Sequence, residues 1–204
     1  MRLLAALVAA AGLAAAGCVT VSEGVGSLGE VGADSVMLVG KIEIVPKVKP
    51  EEQKFRAGLD VFNMKRHHIG RAILYMSEQP KYQERTDDAL NPPLEETYFL
   101  KVPRSHRFMV RGSVTMALVA RAVTATQSVV DHTELLLPGP IEFDIRPTDK
   151  AIYVGTLRLH RDEFHEVTKA EVYDHFAAAY ADFTKKFGAG LSLRKALLKS
   201  VRTS

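Results

Sequence analysis

The sequence predicts a mainly β fold: an antiparallel β-sandwich accompanied by one long C-terminal α-helix and a short terminal helix. Three observations carry that reading. Short runs such as Ile141-Glu142-Phe143-Asp144-Ile145-Arg146 alternate apolar and polar side chains without error, as a strand with one buried face does. Proline and polar turn residues punctuate these runs. After Thr168 the apolar spacing lengthens from two residues to that of a helix.

The N-terminus stands apart from this pattern. Met1-Arg2 is a positive start, and residues 3–16 (LLAALVAAAGLAAA) carry no polar side chain. A helix of that length rises only about 21 Å, short of a hydrocarbon core of roughly 30 Å. The segment therefore reads as a secretory signal, removed before folding. It runs into Ala15-Ala16-Gly17-Cys18, and Cys18 is the only cysteine in 204 residues. These four residues resemble the lipobox of bacterial lipoproteins, with Ala15 where that family favours leucine. The resemblance covers residues 1–18. It implies cleavage between Gly17 and Cys18, a diacylglyceryl group on the Cys18 sulfur and a fatty acyl chain on its new amine. Val19, rather than aspartate, after the cysteine resembles the outer-membrane sorting pattern. The implied partner is the membrane, and the implied location is the cell envelope: the outer membrane, on its periplasmic side. Two or more chains, each worth about 0.8 kcal/mol per buried methylene, anchor a protein stably. With Cys18 used as the anchor, no disulfide framework or thiol nucleophile remains.

Residues 19–34 hold Gly24, Gly26, Gly29 and Gly32 without apolar periodicity and read as a flexible tether, reaching about 20–24 Å. Gly24, Gly26 and Gly29 satisfy a dinucleotide-binding spacing, but no strand precedes them and no helix opens on them, so that chemistry is not expected. From Ser35 the period becomes two. Val36, Leu38, Ile42 and Ile44 oppose Lys41 and Glu43, a half-buried strand stopped by Pro46. Residues 59–64 and 69–76 read as strands around a polar turn containing His67 and His68, and 77–93 as a long surface loop. Residues 96–102 and 107–120 read as strands flanking a Pro103–His106 turn. Residues 140–146 and 151–160 read as an antiparallel hairpin around Pro147–Lys150, the second apolar on both faces as a central strand would be. Short strands at this spacing suggest an immunoglobulin/transthyretin-like sandwich.

Thr168 and Glu171 have capping-box spacing, and Val172, Phe176, Ala179, Phe183 and Phe187 recur at helical intervals up to Gly188. A helix over 169–187 follows, with Ser192 opening a short second one. The expected organisation is a signal peptide 1–17, a lipidated cysteine and tether 18–34, a β-sandwich 35–168, and a helical segment 169–204 packed on the sheet. After Asp182 no acidic residue occurs, while Lys185, Lys186, Arg194, Lys195, Lys199 and Arg202 are basic. This tail is a candidate contact for anionic lipid or an acidic partner surface. Export argues against nucleic acid.

Chemistry is sparse. His160, Asp162 and His165 are the candidate metal ligands, since imidazole and carboxylate suit zinc, but a strand would turn His160 and Asp162 to one face and His165 to the other. No G-x-S-x-G, Walker or H-E-x-x-H pattern occurs. The expected function is a non-catalytic interaction or assembly module of the envelope, without a cofactor, binding an envelope protein. The alternatives are a periplasmic hydrolase or metal-dependent enzyme built on the His160–His165 region, and a lipoprotein that binds a small ligand or lipid.

Overall fold

The computed structural model describes residues 21–22, 24–49, 71–81, 88–124, 127–137 and 139–200. Of the sequence expectations, the signal peptide with Gly17 and Cys18, the strand at 59–64, His67, His68 and Arg202 lie outside these residues.

The described chain forms β1 (Val21–Ser22), a 3₁₀ turn (Leu28–Glu30), β2 (Ser35–Val45), β3 (Ala72–Ser77), β4 (Asp88–Leu90), β5 (Thr97–Pro103), β6 (Phe108–Thr124), β7 (Gln127–Leu137), β8 (Ile141–Glu142), β9 (Ala151–Arg161), β10 (Val167–Tyr173), α1 (Phe176–Phe187), β11 (Arg194–Lys195) and β12 (Lys199–Ser200). Two sheets result. One runs β10-β9-β2-β5, with β11 also on β9; the other runs β1-β4-β3-β6-β8-β12, with β7 also on β6. Val36, Leu38, Ile42 and Ile44 of β2 point inward as their alternation demands. They meet Leu74 and Met76 of β3, Val114 of β6 and Leu135 of β7 in one core between the sheets. Met37 and Val39, on the opposite face of β2, are just as buried. Together with Tyr153 of β9 they carry Ala179 and Phe183 of α1. The architecture is thus three layers, a mainly β sandwich with a helix on the outside of the five-stranded sheet. Among the described residues no helix is long and apolar enough to cross a membrane.

One irregularity sets which residues face which layer. Leu38 pairs with Ile152 and Val39 with Tyr153, but Gly40 pairs with Gly155, so Val154 is an extra residue in β9. Ile152 and Val154 face the inter-sheet core before this bulge; Leu157 and Leu159 face it afterwards, with the parity reversed. Gly155 has φ 102°, and a Cβ there would lie 2.7 Å from Val172. A Cβ on Gly40 would lie 2.5 Å from the Tyr98 hydroxyl and 2.9 Å from the Gly155 carbonyl. Burial pushes the Tyr98 phenol well above its ordinary pKa, aided by the nearby Tyr153.

Several expectations are corrected. The sheets are mixed rather than wholly antiparallel, because β2–β9, β9–β11 and β1–β4 run parallel. Residues 140–146 and 151–160 do not form a hairpin. β8 pairs with β6 and β12 in one sheet, β9 with β2 and β10 in the other, and the 146–150 turn is the corner between them. The long helix loses its first third to β10, whose amides and carbonyls pair with Thr156–Arg161 of β9. Val167, Val172 and Tyr173 suit that pleated edge. The helix opens instead at Phe176, whose amide donates to Asp174 Oδ1 at 3.1 Å, and ends at Gly188 as its sequence predicts. Among the described residues the short terminal helix does not form. The Ala196 and Leu198 amides donate to the Tyr153 and Val154 carbonyls at 2.9 and 3.0 Å, so this segment spends its backbone on β9. Residues 24–34, read as tether, are packed: Val25 and Val31 are buried, and the Val25 amide donates to the Phe99 carbonyl at 2.7 Å. Within the expected loop 77–93, β4 pairs with β3 and Leu90 is buried.

Candidate functional site

The β9–β10 turn is built around two polar residues. Asp162 Oδ1 accepts the amides of Phe164 and Glu166, each at 2.9 Å, doing for this turn what a backbone carbonyl would otherwise do. Arg161, only 7% exposed, reaches under the turn. Its guanidinium donates to the Pro46 and Lys47 carbonyls at 3.2 and 3.3 Å and lies 2.7 Å from His165 Nδ1. His165 itself sits at φ 62°, in the left-handed region that histidine enters more readily than most L-residues. This braced turn presents Phe164 with 75% of its surface exposed.

Beside the turn, β10 hydrogen-bonds to β9 alone among the described residues, and β7 of the other sheet also comes close to it. The half of the outer sheet face not covered by α1 is a row of interlocked charges. Glu43 accepts two hydrogen bonds from Arg158, at 2.8 and 3.0 Å, and one contact from Lys41 at 2.9 Å. Burial would raise the Glu43 carboxyl, but the hydrogen bonds from Lys41 and Arg158 outweigh it and hold the group below the usual carboxylate range. The Arg158 guanidinium lies 4.2 Å from the centre of the Tyr173 ring. The Tyr173 hydroxyl donates to Glu171 Oε2 at 3.1 Å, His160 Nε2 lies 3.1 Å from the same oxygen, and Lys169 Nζ is 2.8 Å from Oε1. Hydrogen bonding from Lys169, then from Tyr173 and His160, keeps Glu171 ionised. Exposed pairs of this kind add little stability. They do fix a pattern of charge across β2, β9 and β10.

The candidate ligands His160, Asp162 and His165 do not converge. His160 turns to Glu171, Asp162 to its own turn and His165 to Arg161. Among the described residues no group of three histidine, cysteine or acidic side chains could hold a metal ion. The basic tail is likewise divided. Lys185 and Lys186 lie in the last turn of α1, with Lys186 Nζ 4.8 Å from the centre of the Phe99 ring. Arg194 is spent internally on Asp144 and Asp149, and Lys195 on Asp174 at 2.6 Å; Lys199 is exposed on β12. Phe164 and Arg161 escaped sequence reading, although a phenylalanine between Glu163 and His165 is a signal of an exposed ring that was there to find. No protein-family model, curated protein or solved structure matches the chain.

Proposed function

We propose that this chain is an outer-membrane lipoprotein, anchored through acyl groups on Cys18 with its folded part on the periplasmic side, and that it acts as a non-catalytic interaction module of the cell envelope. The observation that carries the reading is Phe164, a large apolar ring exposed on a turn braced by Asp162 and Arg161 beside β10, which has no second strand partner among the described residues. Binding hot spots are enriched in aromatic anchors, and an anchor ordered in advance spares the entropy of ordering it on contact. The proposed partner is an envelope protein that adds an extended segment to β10 and receives Phe164 in an apolar pocket. The Lys169–Glu171 row would set its register. Membrane tethering confines the search to the bilayer surface and raises the effective concentration of such a partner. Within this proposal the sandwich is of the immunoglobulin/transthyretin-like kind, a chassis whose edges are free to bind, with the parallel β2–β9 pair as its departure.

The test is a photo-crosslinking amino acid at position 164 in cells producing the full chain. The expected outcome is one dominant adduct, reduced at least about tenfold when Lys169 and Glu171 are exchanged for each other's charge, the change expected from losing one or two charge-assisted contacts. Cross-linking spread over abundant bystanders, unaffected by that exchange, would refute it. Phe164→Ala should leave stability within about 0.5 kcal/mol of wild type, as a surface substitution does, so that loss of partner reports binding rather than unfolding.

A further inference from the structure

A cleft of about 540 Å³ opens where α1, the Leu28–Glu30 turn and the 146–151 corner meet, on the opposite part of the sheet face from the charged row. Half-buried Leu28 and Leu191 line its apolar wall, with Phe183 behind them, and Arg146, Lys150 and Ser192 stand at its rim. Asp149 and Arg194 also border it, but they saturate each other through contacts of 2.6 and 2.9 Å. Among the described residues the Arg146 side chain pairs with Asp144, at 3.8 Å and largely in solvent, and its charge also bears on Asp149. Lys150 Nζ pairs with no carboxylate among the described residues. The rim is therefore cationic after internal pairing, while the wall is aliphatic. The volume lies within the roughly 300–1,000 Å³ of small-molecule sites.

We propose that this cleft binds a fatty acid, its acyl chain against Leu28 and Leu191 and its carboxylate between Lys150 and Arg146. An uncharged chain would forgo the rim, and an inorganic anion would forgo the wall, so the surface is complementary to a ligand that carries both. This site shares no residue with Phe164 or the edge of β10, and its failure would leave the docking proposal standing.

The test uses the full chain in nanodiscs of zwitterionic phosphatidylcholine and a diazirine-bearing dodecanoic acid as the photoreactive probe, with adducts mapped by mass spectrometry. The expected result is labelling within residues 146–151 or 191–194 that excess dodecanoate suppresses and excess inorganic phosphate does not. Lys150→Glu should lower that labelling about tenfold, the scale of one charge-assisted hydrogen bond. Ser192→Trp, placed at an exposed position to fill the cleft, should abolish it. Unchanged unfolding midpoints for both variants keep the comparison fair. Labelling confined to other segments would overturn the proposal. So would full competition by phosphate, equal labelling by the diazirine alcohol analogue, or indifference to both substitutions.

Discussion

Exchanging Arg194 for methionine should be among the most damaging single changes in the C-terminal segment. Arg194 Nε and Nη2 grip both oxygens of Asp149 at 2.9 and 2.6 Å, and Nη2 also donates to the Asp144 carbonyl at 2.7 Å. The Asp149 side chain is 6% exposed and that of Arg194 19%. The pair ties β11 to the corner between the two sheets. Methionine keeps the apolar stem but leaves a buried carboxylate whose remaining donor is the Arg146 amide, at 2.6 Å. Breaking a buried pair from one side costs about 3–5 kcal/mol. Asp149→Asn should cost less, about 1.5–3 kcal/mol, because Arg194 keeps Asp144 and more solvent. The double variant should fall short of the sum by about 2 kcal/mol, since the two changes remove one interaction. The chain has no tryptophan, so far-UV circular dichroism in urea is the suitable assay. At an m-value of about 2 kcal/mol per molar, Arg194→Met should lower the midpoint by roughly 1.5–2.5 M. pH supplies an internal control. Burial would raise the Asp149 carboxyl, but hydrogen bonds from Arg194 and the Arg146 amide, with the two guanidinium charges, hold it below its ordinary value. A depressed folded pKa gives stability that is complete above the unfolded pKa of about 3.9 and is lost as pH falls through the lower folded value. The wild type should therefore lose this contribution below about pH 4, and the gap to Arg194→Met should narrow there. Single changes that each cost under about 1 kcal/mol at pH 7, or strict additivity, would refute the reasoning.

Three further outcomes are expected. Gly155→Ala should destabilise by about 1–3 kcal/mol or more in the same assay, since φ 102° and a Cβ 2.7 Å from Val172 leave no relaxed arrangement. Phe183→Ala should cost about 3–5 kcal/mol by opening a cavity between α1 and Met37, Val39 and Tyr153, and a cost below about 1 kcal/mol would mean that the helix does not pack as described. Metabolic labelling with a fatty acid should mark the wild type and not Cys18→Ser; equal labelling of both would sink the anchor.

Strand identity was largely legible where alternation is strict. Val36 to Ile44 and Thr97 to Val102 could be assigned inward and outward faces from their side chains alone, because the buried face of a sheet selects apolar residues at period two; Phe143 and Ile145 are buried by the same alternation, although β8 ends at Glu142 and they are not strand. At the candidate site, the 160–166 stretch stands out in the sequence by its histidines and acids, but its fixed point is Asp162 bonding to its own turn and its exposed product is Phe164, neither of which residue spacing specifies.

By itself, then, the sequence determined a β-rich body with a helix near its end, a helix stop at Gly188, and the unusual N-terminal run that ends at Cys18. Each of these is written in residues close along the chain, where side-chain spacing and backbone preference act directly. The tertiary structure decided everything that depends on what lies opposite. Thr168–Tyr173 carries helical spacing, yet becomes β10 because the edge of β9 offers six residues' worth of unsatisfied partners that an isolated helix start cannot match. Leu193–Leu198 is drawn to β9 for the same reason, and Val25 and Val31 fold down because the outer face of the sheet has apolar surface to cover. Hydrogen-bonding edges and uncovered apolar faces exist only once the sheets are assembled, so local spacing could not announce them.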